Sequence, residues 1–159
     1  MKSSTTVERK SDREVVVTRM VNAPVAKVFR AWTQPELFRQ WWVPKSAPMK
    51  LVSFEMDVRV GGGYRLVFEF QGNQMAFFGA YKEVVPESKI VWTNDEAGEA
   101  GQVTTVTFEN LGDKTRVMLT EVYSTKAALD EAMSNGSLDG LREQFDQLED
   151  FVQPVSGRQ

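Results

Sequence analysis

The chain has 159 residues, a net charge of −3, no cysteine and no histidine. That length fits one domain with a substantial core, and so mild a charge, without a basic cluster, argues against a nucleic-acid partner. Disulfides, thiolate metal sites and cysteine nucleophiles are excluded, as are serine–histidine triads and histidine-ligated zinc or haem. Any catalysis would have to run on Asp, Glu, Lys, Tyr, Ser or Thr.

Residues 1–12 are rich in Ser, Thr and charge, lack the apolar core of a secretory signal, and read as a loose tail. Arg13 to Val21, with Val15-Val16-Val17, reads as a first strand. Pro24 then suits a first helical position, and Val25, Val28, Phe29 and Trp32 recur on one helix face. Thr33 to Glu36 has capping-box spacing around Pro35, which predicts a second short helix carrying Leu37, Phe38 and Trp41. Pro44 and Pro48 end the helical stretch.

From Met49 the period becomes two. Met49 to Met56 reads as a strand, Asp57 to Gly63 as a glycine-rich turn, and Tyr64, Leu66, Phe68 and Phe70 as one face of the next strand. Arg65 and Glu69 fall on the other face, toward solvent. Gln71 to Gln74 signals a hairpin, followed by a strand from Met75 to Val84, where Tyr81 and Glu83 share a face. Lys89 to Thr93 is the next strand, then comes an acidic loop from Asn94 to Gly101. Gln102 to Glu109 and Lys114 to Val122 form a last hairpin. Two helical pieces follow, separated at Ser134-Asn135-Gly136. The second carries Leu138, Leu141, Phe145, Leu148 and Val152 on one face. Strands bracketed by helices argue an α+β fold with an antiparallel sheet. No apolar run approaches the roughly 20 residues of a membrane span.

Several segments together resemble the activator-of-heat-shock-ATPase-homologue branch of the START-like (SRPBCC) superfamily. They are Arg19 to Pro24 running into Val28-Phe29, Thr33 to Glu36 with Trp41-Trp42, and Asp57 to Gly62. Gly79 to Pro86, Ile90 to Thr93, and Gly140-Leu141 with Leu148 complete the set. The resemblance covers about residues 13–152, which would form one domain between tails 1–12 and 153–159. It implies a helix-grip fold: a curved antiparallel sheet of about six to seven strands around a long C-terminal helix, with two short helices after the first strand and an apolar cavity between. Members include lipid carriers, polyketide cyclases and a co-chaperone domain. The family's usual Gly-Trp near the C-terminus is Gly140-Leu141 here, and the smaller side chain alters that end of the cavity.

Two readings of the aromatics stand side by side: ordinary core, or walls of a ligand chamber built from Trp41, Trp42, Tyr64, Phe68, Phe70, Trp92 and Phe145, with Tyr81 and Leu141. The triple glycine Gly61-Gly62-Gly63 lacks a following Lys-Ser/Thr and enters a strand, so it reads as a turn or close backbone approach rather than a phosphate loop. The expected function is binding of a small apolar or amphipathic molecule, with Tyr64, Tyr81 or Glu83 orienting its polar end. No catalytic residue, metal or cofactor is assigned, and the expected location is the cytoplasm. Two alternatives stay open. One is a cyclase- or hydrolase-like enzyme. The other is a co-chaperone-like protein-interaction domain or stress-response protein, with homodimerisation as a variant.

Overall fold

The computed structural model describes residues 5–43, 45–46, 50–95, 102–134 and 137–152, with only the backbone of 137–139. Pro44, Pro48, most of the acidic loop and the residues after Val152 lie outside that set. Among the described residues, eight strands form one antiparallel sheet in the order β1-β2-β8-β7-β6-β5-β4-β3. They are β1 (Thr5–Arg9), β2 (Glu14–Val21), β3 (Lys50–Met56), β4 (Gly63–Phe70), β5 (Asn73–Val85), β6 (Lys89–Asn94), β7 (Gln102–Asn110) and β8 (Thr115–Val122). The helices are α1 (Val25–Thr33), α2 (Pro35–Trp41), α3 (Lys126–Ser134) and α4 (Ser137–Val152).

The topology explains where the helices lie. After β2 the chain crosses the sheet through α1 and α2 to the far edge at β3. It then returns strand by strand as a meander until β8 closes against β2. The crossover keeps α1 and α2 on one face, where α4 packs against α1, α2, β1 and β2. Alternation decides what faces them. Val15, Val17 and Val21 of β2, Val106 and Phe108 of β7, Val117 and Leu119 of β8, and Ile90 and Trp92 of β6 are all buried.

The structure departs from the sequence reading at four places. Thr5–Arg9 is a strand rather than part of a tail, paired with Val15–Arg19 of β2. The sheet therefore has eight strands rather than six or seven, and the helix pair follows the second strand. Thr33 does not cap α2: it ends α1, and its hydroxyl donates to the Phe29 carbonyl at 3.0 Å. Pro35 does open α2, with Gln34 before it. Finally, a register shift in β5 between Tyr81 and Glu83 breaks their shared face. Tyr81 is buried, whereas Glu83 is exposed and ion-paired with Lys89 at 3.3 Å.

The glycine turn is a site of close backbone approach. A Cβ on Gly62 would lie 2.1 Å from the Asp57 carbonyl oxygen, so a side chain there cannot be accommodated. Gly79 is similar, with the Thr93 carbonyl oxygen 1.9 Å from its would-be Cβ, and this lets β5 press against β6 beside the register shift.

One buried ion pair ties the C-terminal helix to the sheet. Arg19 on β2 and Glu149 on α4 are each 1% exposed and meet at 2.5 Å. Arg19 also reaches Asp146 at 2.5 Å and the Thr5 hydroxyl at 2.8 Å, so it joins β1, β2 and α4. The second Glu149 oxygen accepts the Asn22 amide at 3.2 Å. Removing one partner of such a pair leaves a charge uncompensated, whereas replacing both with apolar groups does not. Glu149→Ala is expected to lower stability by about 3–5 kcal/mol, and Arg19→Met/Glu149→Leu by clearly less, as measured by urea unfolding.

Candidate functional site

The space between the helices and the sheet is organised around Trp32. This side chain is 2% exposed, at the end of the apolar face of α1. Its ring meets Trp41 at 4.8 Å and Trp42 at 5.9 Å on the α2 side. It meets Trp92 at 6.1 Å on β6, Phe108 at 6.0 Å on β7 and Phe145 at 6.1 Å on α4. Edge-to-face pairs at such separations add attraction beyond simple burial.

Trp32 fills the region over β6 and β7, but the space beside it is hollow. A small inner chamber of about 30 Å³ is roofed by Trp32, Phe38 and Trp42 and floored by Met56, Tyr64, Leu66, Tyr81 and Trp92. It has room for a water molecule or two. The indole N–H of Trp32 is buried without an acceptor among the described residues, a cost that a hydrogen-bond acceptor within reach would relieve. A larger outer chamber of about 410 Å³ shares the walls Trp42, Tyr64, Leu66 and Trp92. Val43 after α2, Phe68 and Phe77 of the β4–β5 hairpin, Leu119 of β8, and Gly140 and Leu141 of α4 complete its apolar lining.

The segment after α2 is held to α4 through its carbonyls. Gln144 donates to the Trp42 carbonyl at 2.6 Å. Gln147 donates to the carbonyls of Trp41 and Val43, both at 2.8 Å. Glu143 accepts the Ser46 amide at 2.9 Å and its hydroxyl as well, and these bonds hold the Glu143 carboxyl below the usual range. These contacts fix Trp42 over the chambers. Trp41 turns the other way, 1% exposed, and its indole donates to the Ala31 carbonyl at 3.0 Å.

The outer chamber has a polar end. β8 brings Glu121 in phase with buried Val117 and Leu119, and the register sets it opposite Thr104, which itself lies opposite Trp92. Asn94 donates to the Thr104 hydroxyl at 2.9 Å, and that hydroxyl donates to Glu121 Oε1 at 3.3 Å. The Tyr123 phenol donates to Glu121 Oε2 at 2.9 Å. Both hydroxyls thus direct their protons at the carboxylate, which suits an ionised acceptor. Burial, then the Glu121 charge and this hydrogen bond, push the Tyr123 phenol well above its ordinary value. Tyr81 is raised too, by burial and then by the Asp57 charge.

Of the residues the sequence points to, Trp42, Tyr64, Phe68, Tyr81, Trp92 and Leu141 come together around the two chambers. Trp41 and Phe145 are packed into the core away from both, and Phe70 sits at the end of β4 by the hairpin, outside both linings. Sequence reasoning did not single out Trp32, Phe38, Glu121, Tyr123 or Gln144 as site residues. For Glu121 the signal was available: Val117, Leu119 and Glu121 lie two apart on one strand and so share a face.

A free phenol titrates near pH 10. Because Tyr81 and Tyr123 keep their protons longer when folded, stability is fully present below about pH 10 and is lost as pH climbs from there. The absorbance step near pH 10 should therefore be unchanged in Tyr81→Phe and Tyr123→Phe; a smaller step in either variant would contradict the buried, hydrogen-bonded placement.

Known structures share this architecture. A protein from Chromobacterium violaceum is 28% identical, with a TM-score of 0.73 over 91% of this chain and 99% of that one. One from Staphylococcus epidermidis is 27% identical, with a TM-score of 0.75 over 92% and 93% of the two chains. A Nitrosomonas europaea protein, 24% identical, has the same fold with a TM-score of 0.80 over 90% and 96%. No curated protein matches the chain in sequence. The family described as "Activator of Hsp90 ATPase homolog 1-like protein" matches residues 22–153, and the chain belongs to that family, within the SRPBCC superfamily.

Proposed function

We propose that this protein binds a small apolar or amphipathic molecule in the paired chambers between α4, the α1–α2 crossover and the sheet. The observation that carries the reading is the outer chamber. Its volume of about 410 Å³ lies in the range of small-molecule sites. Its walls are mostly apolar and aromatic, and its few polar groups, Glu121, Tyr123, Asn94 and Gln144, are themselves held by hydrogen bonds. Such preorganisation favours orientation of a ligand over loose partitioning. Trp42, Tyr64 and Trp92 pack the apolar body, and Leu66 and Leu141 set the width.

Leu141 offers the sharpest control. It is 8% exposed and lines the outer chamber. A larger ring there would occupy the ligand's space.

A second reading, a cyclase- or hydrolase-like enzyme, is favoured by one feature: a carboxylate, Glu121, facing an apolar chamber. Its mark would be turnover of a bound polyketide or ester that Glu121→Gln abolishes while binding persists.

Titration of the intrinsic tryptophan fluorescence with lipids, aromatic polyketides and flavonoids is expected to give saturable quenching for at least one class. Leu141→Trp should weaken that binding at least about tenfold. Absence of quenching by every class, or undiminished affinity in Leu141→Trp, would overturn the reading.

A further inference from the structure

We propose that the inner chamber takes a neutral carbonyl oxygen, that of a ketone or ester, which accepts the indole N–H of Trp32 while the molecule's apolar body lies in the outer chamber. This rests on the reading of the chambers as a ligand site and names the ligand class for it.

One donor sets the requirement. Trp32 is 2% exposed and belongs to the wall of the inner chamber. Its indole N–H has no acceptor among the described residues. The neighbouring Trp41 shows that the fold can meet such a donor: it is 1% exposed, and its indole donates to the Ala31 carbonyl at 3.0 Å. Arg19 also leaves its Nε unmet, but the same guanidinium is bonded to Thr5, Asp146 and Glu149. The Trp32 side chain has no second polar group to offset the loss. A buried donor without an acceptor weakens the fold, and an acceptor brought in by a ligand recovers that loss as affinity.

The rest of the wall selects the kind of acceptor. Trp42 and Trp92 carry donors only, and the Tyr64 hydroxyl already donates to the Thr93 carbonyl at 2.8 Å. In the described lining no side chain is a carboxylate, an amide or a cation. An ammonium would add donors where donors already dominate. A carboxylate would be buried there without a counter-charge in that lining. Burial, then the Asp57 charge, hold the Tyr81 phenol above its ordinary value, and both resist an anionic oxygen in the same space. A carbonyl oxygen brings lone pairs without charge. At about 30 Å³ the inner chamber suits one small group rather than a whole ligand. The walls it shares with the outer chamber, Trp42 and Trp92 among them, set the two spaces side by side. A carbonyl in the first therefore continues into an apolar body in the second.

The test uses three molecules with one phenylethyl body: 4-phenyl-2-butanone, isopentylbenzene and 3-phenylpropionate. Each is titrated into the full ¹⁵N-labelled chain at neutral pH, and the indole N–H signals are followed. The ketone is expected to move the Trp32 indole proton downfield, further than the hydrocarbon does, and to bind more tightly than the carboxylate. In Trp32→Phe, which lacks the N–H, the ratio of ketone to hydrocarbon affinity should fall about tenfold. The ratio cancels the loss of ring volume that both molecules feel. A saturating ketone that moves the Trp32 proton no further than the hydrocarbon overturns the inference while the chamber remains a binding site. So does a carboxylate that binds as well as the ketone, or a ratio that survives in Trp32→Phe. If none of the three binds, both readings fall. The Trp32 signal in the unmodified chain decides the matter on its own should the variant not fold.

Discussion

Everything in the site depends on burying Trp32. An indole at the end of a short helix can lose its water only against surfaces supplied by other elements. Here α2 provides Trp41 and Trp42, β6 and β7 provide Trp92 and Phe108, and α4 provides Phe145. The ring acts as a pillar that sets how far the helix pair stands from the sheet. Beyond it, Val43, Leu66, Leu119 and Leu141 line the outer chamber together with the rings of Trp42, Tyr64, Phe68, Phe77 and Trp92.

Two carboxylates show how the fold separates scaffold from site. Glu149 and Arg19 are both 1% exposed and neutralise each other, closing the base of α4 onto β1 and β2. Glu121 lies at the other end of the sheet face, served by hydroxyls and open to the chamber. A buried pair of the first kind fixes geometry. A carboxylate of the second kind forms part of the chamber wall.

Most elements were legible because periodicity reports burial directly. The strands from Glu14 onward, the Pro35 start of α2 and the break between α3 and α4 all follow from apolar spacing and turn residues. β1 was not legible. It is an edge strand, mainly polar, with Val7 its one apolar member, so it carries no alternating signal. The site was legible in part. Tyr64 and Phe68 follow from strand phase, but the Tyr81–Glu83 register shift breaks the phase that places Glu83 inside. Trp41 and Trp42 are adjacent in sequence yet serve different purposes, because the end of α2 turns one into the core and the other over the chambers. Glu121 shares the face of Val117 and Leu119, a signal its type masked: a charged residue at a strand's end looks like the end of burial, and its cross-strand partner Thr104 places it in the chamber wall.

The four tryptophans provide the most direct test of the account's central claim, that the space beside Trp32 receives a small molecule. In a ¹H–¹⁵N spectrum each indole N–H gives its own resonance. On titration with 4-phenylbutanol, the signals of Trp32, Trp42 and Trp92, which line the chambers, are predicted to shift together and saturate, while that of Trp41, bonded to the Ala31 carbonyl, stays nearly still. Four unmoved indole signals, or a shift confined to Trp41, would contradict it.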